Sequence, residues 1–197
     1  MRTRQPADWA RDLHNRHALE TTVAQAIRTH AAVRTLSSST RSMNELDYQI
    51  TLSSRIQIAV ELKEKRQTYS PWWNQQWAHQ YPEHPQPSLF IIDELSVRKL
   101  ATKGPHAYLL ISDSTGPFDR WHACSIGDIL FGDFVRVARP LHNNIVKGKL
   151  LLNLDTMPVA EEQLSGTIDG IDMLSRTVAA CWADVKPWPN LKIASAA

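Results

Sequence analysis

Two neighbouring stretches of strict alternation constrain this chain more than any other feature. From 45 to 52, Leu46, Tyr48, Ile50 and Leu52 fall on one side and Asp47, Gln49 and Thr51 on the other. From 56 to 63, Ile56, Ile58, Val60 and Leu62 share a side, and Gln57, Ala59, Glu61 and Lys63 share the opposite one. Successive side chains of a strand point to opposite faces, so period two over adjacent segments reads as two half-buried strands. Both apolar sets must reach one core, and a slip of one residue would turn a whole set into water. Parity then pairs Leu52 with Ile56, Ile50 with Ile58, Tyr48 with Val60 and Leu46 with Leu62. Ser53-Ser54-Arg55 is left as a three-residue loop, a common hairpin length.

Around this hairpin the pattern changes period. Leu19, Val23 and Ile27 recur at helical spacing, which predicts a helix over 8–34. Ser37-Ser38-Ser39-Thr40 reads as a loop. Residues 68–87 hold Trp72, Trp73, Trp77, Tyr81 and several prolines, and read as a loop with one helical turn, its tryptophans anchoring it to the core. Residues 88–102 read as a helix with Ser88 as N-cap and Gly104-Pro105 as the stop, although Leu89 to Ile92 also suits a strand. Residues 106–112 read as a buried strand and 112–116 as a turn. Two further strands are expected at 134–138 and 149–154, and a closing helix at 160–184, before a loose tail after Pro187. The expected class is α/β, with an antiparallel hairpin at the centre of a mixed sheet.

Composition sets the outer limits. The 197 residues are 43% hydrophobic and 21% charged, a globular balance that excludes a wholly disordered chain. A single domain is expected over 1–197, with a core over about 8–112 and a C-terminal extension over about 113–197. Two cysteines, Cys124 and Cys181, are too few for a disulfide framework or a multi-cysteine zinc site. His122 and Cys124 are close in sequence, but proximity alone makes a weak nucleophile–base pair. The first residues lack the apolar stretch of a secretory signal and no long apolar run spans a membrane, so a cytoplasmic protein without a membrane partner is expected. The net charge of +2 is bland, but residues 1–41 hold seven arginines against three acids. That suits either a phosphate-facing surface or a solvated helix face.

The hairpin parity carries a chemical consequence. It sets Asp47 opposite Glu61, with Cβ atoms about 4.5–5.5 Å apart, a like-charge pairing that destabilises a sheet. A divalent cation between the two would offset that cost, as Mg²⁺ is commonly held by carboxylates, waters and substrate phosphate. Lys63 stands two residues further on the same face, about 6.5 Å along the strand. The same three residues also suit a solvated sheet face on which Lys63 neutralises Glu61.

The run Glu45-Leu46-Asp47 followed by Ala59-Val60-Glu61-Leu62-Lys63 resembles the PD-(D/E)XK nuclease superfamily, the restriction-endonuclease-like fold. The resemblance covers residues from about 13 to 112. It implies a core of helix, three strands, helix and strand, with Asp47 and Glu61 as metal-binding carboxylates, Lys63 as the catalytic lysine and Glu20 as a helix glutamate joining the metal site. Leu46 stands where the motif has proline, and the sequence between 35 and 45 offers no convincing strand. The implied activity is Mg²⁺-dependent endonucleolytic hydrolysis of DNA, with Mn²⁺ able to substitute, by a homodimer cutting both strands. Arg98, Lys99 and Arg41 are the expected nucleic-acid contacts. An RNA-cleaving relative, or a non-catalytic α/β module binding nucleic acid or protein, are the alternatives.

Overall fold

The computed structural model describes residues 6–38, 45–66, 87–132, 135–140 and 146–183. Among them a first helix, α1 (Pro6–Thr29), leads into three strands, β1 (Val33–Ser38), β2 (Tyr48–Leu52) and β3 (Gln57–Lys65). A fourth strand, β4 (Leu89–Asp93), runs directly into α2 (Glu94–Ala101), followed by β5 (Ala107–Asp113) and β6 (Arg120–Ser125). Then come α3 (Ile126–Phe131), the hairpin strands β7 (Val135–Pro140) and β8 (Val146–Asn153), a short β9 (Val159–Glu161) and α4 (Leu164–Ala183). The architecture is mixed α/β. One six-stranded sheet runs in the order β1-β2-β3-β5-β6-β9, and a three-stranded sheet in the order β4-β8-β7.

The hairpin forms in the register that parity requires. Tyr48 pairs with Val60 and Ile50 with Ile58, and the Leu52 amide donates to the Ile56 carbonyl at 2.9 Å. Arg55 adopts a φ of 69°, the left-handed position that closes a three-residue hairpin loop. The ladder stops at Tyr48, and Leu46 and Leu62 are no pair: Leu62 joins the core on the even face whereas Leu46, expected on that face too, packs in the core on the other. β1 joins β2 antiparallel, making a three-stranded meander, and β5 lies parallel to β3. A parallel neighbour requires a crossover, and β4 with α2 lies on it.

The even-numbered side chains of the meander, Tyr48, Ile50, Leu52, Ile58, Val60 and Leu62, build one core with Val23 and Ile27 of α1 and Ile168 and Ile171 of α4. On the opposite face Leu109, Ile111 and Cys124 build a second core with α2, α3 and the small sheet. α4 reaches its sheet despite two glycines. A Cβ at Gly170 would meet Val159 Cγ1 at 2.8 Å, so glycine permits the close approach.

Several expectations are corrected. The first helix ends at Thr29, not 34, and Ser37 and Ser38 belong to a strand rather than a loop. The 88–102 segment is a strand and then a helix: Asp93 holds the N-cap position, while the Ser88 hydroxyl donates to Asp155. The C-terminal part is no appendage, because β6 and β9 complete the main sheet and β8 pairs with β4. The segment with Trp72 to Trp77 and the tail after Pro187 lie outside the described residues. No helix among the described residues is long and apolar enough to cross a membrane.

Candidate active site

β3 carries the charged groups because it is the boundary strand of the sheet. Its odd positions turn towards the face that carries α2 and the small sheet, a cover that reaches Glu61 through Lys99 and Ala59 in part but leaves Gln57 exposed. Glu61 sits there at 2% exposure and Asp47 at 7%, so a solvated sheet face does not describe either. Burying a carboxylate is costly unless it is paired and hydrogen-bonded.

The structure shows the partners. Lys63 Nζ lies 2.5 Å from Glu61 Oε1 and donates to it. Lys99 Nζ, on α2, lies 3.6 Å from Glu61 Oε2. The ladder having ended at Tyr48, the Asp47 side chain takes over the edge: its Oδ2 accepts from the Leu62 backbone N–H at 2.7 Å. The Asp47 carboxylate is thereby fastened to the backbone midway between Glu61 and Lys63. Asp47, Glu61 and Lys63 are therefore brought together, and α2 adds Lys99.

Glu20, expected to join the site, lies on α1 at the other face of the sheet and among the described residues forms no group of three with Asp47 and Glu61. Its helix packs on the even face, and the Tyr48 hydroxyl donates to the Glu20 carbonyl at 2.8 Å, tying α1 to the start of β2. Among the described residues no three His, Cys, Asp or Glu side chains form a group that could hold a metal ion. Arg98, expected beside Lys99 as a contact, is turned to solvent and bonded to Glu94, which also takes Arg136 at 2.8 Å. These two guanidiniums, the Arg98 hydrogen bond foremost, lower the Glu94 pKa. Arg41 lies outside the described residues.

The donor set suits a hard cation. Both groups supply carboxylate oxygens, the ligand type Mg²⁺ takes. Glu61 Oε2 is buried and makes no hydrogen bond among the described residues, its ion pair with Lys99 being a long contact of 3.6 Å. Two carboxylates balanced by two ammonium groups make the cluster neutral, so an added divalent cation would turn it into a place that attracts a phosphate anion.

Further along the same face a second buried pair stands at the ends of β3 and β5. Lys65 Nζ lies 3.0 Å from Asp113 Oδ2 and also donates to the Pro87 carbonyl. Burial would raise the Asp113 pKa, but hydrogen bonds from Thr115 and Lys65 outweigh it and the net shift is downward. The Thr115 amide donates to Asp113 Oδ1 at 3.0 Å, which makes 113–115 the turn expected there. Burial lowers the His122 pKa and raises that of Cys124, so the two do not make an activated nucleophile and its base.

No protein-family model and no curated protein matches the chain, so the geometry itself carries the functional reading.

The sequence offered Lys99 as a nucleic-acid contact beside Arg98, whereas the structure sets it against Glu61. The signal that relocates it is the helix register: Val97 and Leu100 are the buried positions of α2, and Lys99 flanks them.

Proposed function

We propose that this chain is a metal-dependent nuclease of the PD-(D/E)XK type that hydrolyses phosphodiester bonds in DNA. One observation carries the reading. Glu61 and Lys63 stand two residues apart on one face of a strand, in contact at 2.5 Å, with the Asp47 carboxylate docked on the amide of the residue between them. The arrangement of elements supports it. A helix, a meander of three strands, a helix on the crossover and a strand parallel to the third follow one another in the order the resemblance implies for such a core. β1 supplies the strand that the sequence alone did not offer.

In this reading Asp47 and Glu61 would hold a Mg²⁺ ion, with Mn²⁺ able to substitute, and the ion would supply a polarised phosphoryl oxygen and an activated water. The chain's own groups do the rest. The Leu62 amide fixes the Asp47 carboxylate, so its position costs little reorganisation. Lys63 orients the attacking water and places an ammonium against the charge that develops on the phosphate, where a fixed donor in a dry site is worth far more than in water. Lys99 anchors the far side of Glu61 and faces the same anion. The partial enclosure by α2 keeps bulk water from screening these charges.

Incubation of plasmid DNA and of a long single-stranded RNA with the protein and Mg²⁺ or Mn²⁺ tests this. Wild type cleaves DNA. Lys63→Met, Glu61→Gln and Asp47→Asn each lose about 100-fold or more while circular dichroism and the melting profile are retained, in line with the loss of one stabilising group. Cleavage of RNA alone would move the substrate to RNA. Absence of cleavage by wild type with either ion, or a Lys63→Met protein as active as wild type, overturns the proposal.

A further inference from the structure

Next to the candidate site, on the same face of the sheet, lies a cleft of about 380 Å³. Its floor is the odd face of the meander, laid out in rows. Thr35, Thr51 and Gln57 are register partners across three strands, and Ser37, Gln49 and Ala59 form the next row. Glu61 begins the row after that, so along β3 Gln57 lies about 13 Å from Glu61 at the usual strand rise. One wall is the end of α2 and the turn after it, with Lys103 and His106. Gly104 in that turn has a φ of 78°, and the His106 carbonyl accepts from the Ala59 amide at 3.0 Å, which fixes the wall to the floor.

The chemistry of the lining is selective. Among the described residues that form the cleft there is no carboxylate, while Lys103 supplies a positive charge four residues after Lys99, the lysine at Glu61. The floor offers amides and hydroxyls, groups that both donate and accept. His106 Nδ1 is buried with no hydrogen-bond partner among the described residues. The volume lies in the range of small-ligand sites, about 300–1,000 Å³, which admits a nucleotide and not a duplex.

We propose that this cleft is a base-reading subsite: it takes one unpaired nucleotide of the substrate strand beside the scissile phosphate, with Gln49 and Gln57 on the base and Lys103 on the backbone. The inference deepens the nuclease reading and rests on it for the position of the scissile bond. Amide side chains pair best with adenine, through its N6 and N7, so adenine is the favoured base. The lysine contributes affinity without sequence information.

Fluorescence anisotropy of labelled single-stranded dA12, dC12 and dT12 in EDTA tests this without cleavage. Wild type binds dA12 about fivefold or more tighter than dC12, the lower end expected of one bidentate base contact. Gln49→Ala combined with Gln57→Ala brings the ratio below about twofold on the same scale. Lys103→Gln weakens all three oligonucleotides alike and lowers the slope of log K against log salt by about 0.7, as one lost phosphate contact on a single strand should. A wild type without base preference, or a preference that survives the double glutamine variant, overturns the subsite. The two readings fail separately. Base preference that depends on the glutamines in a protein that never cleaves removes the nuclease and keeps the cleft, whereas cleavage by a protein indifferent to base does the reverse.

Discussion

One face of the six-stranded sheet is built in two ways. Over β5 and β6 it is dry: every residue from Ala107 to Asp113 is buried, and Leu109, Ile111 and Cys124 pack against α2, α3 and the small sheet. Over β1 and β2 the same face is bare, with Thr35, Ser37 and Gln49 exposed. β3 lies between the two halves, and its odd positions record the passage: Gln57 exposed, Ala59 half-covered, Glu61 buried. A charged cluster placed at such a border has a low-dielectric wall on one side and access for a large ligand on the other. That combination strengthens electrostatic interactions without sealing the site.

The sharpest way to break this contrast is to truncate one residue in each half. Leu109→Ala in the dry half should cost about 2–5 kcal/mol, since a fully buried leucine leaves a cavity. Urea denaturation checks it, and a cost under about 1 kcal/mol would mean that the covering layer is loose. A smaller effect comes from His122, buried at 3% exposure, its Nδ1 without a hydrogen-bond partner among the described residues. Its folded pKa lies below the ordinary 6.5, so the unfolded chain takes up the proton first. Its share of stability is therefore intact above pH 6.5 and falls as the pH drops through that value. His122→Gln should flatten the stability difference between pH 7.5 and pH 5, and an unchanged difference would mean that His122 is not part of the dry layer. The smallest effect belongs to the bare half: Gln49→Ala should stay within about 0.5 kcal/mol of wild type.

What could be read from the sequence follows from range. The hairpin was legible because alternation is local and parity has one solution; Tyr48 does pair with Val60 and Ile50 with Ile58. β1 was not, since an edge strand of threonine and serine with only Val33 and Leu36 half-buried shows no alternation. Leu89 to Ile92 is apolar on both faces, a pattern that suits helix and strand alike. Its pairing with Leu150 to Asn153 decides the matter, and nothing local reveals a partner some sixty residues away. α3 did carry a signal: Ser125 and Asp128 form a reciprocal capping box, with the Ser125 amide donating to Asp128 Oδ2 at 2.7 Å. At the site, Glu61 and Lys63 were legible as a spacing, while the fastening of Asp47 to the Leu62 amide and the approach of Lys99 required the strand end and the crossover helix.

In the proposed reading Asp47 and Glu61 would together hold a divalent cation. Crystals of the protein soaked in Mn²⁺ and measured at the manganese edge test it most directly. The expected result is an anomalous peak shared by the two carboxylates, retained in Lys63→Met and lost in Glu61→Gln. A map with no peak between them, or with manganese bound only elsewhere on the surface, would contradict the account.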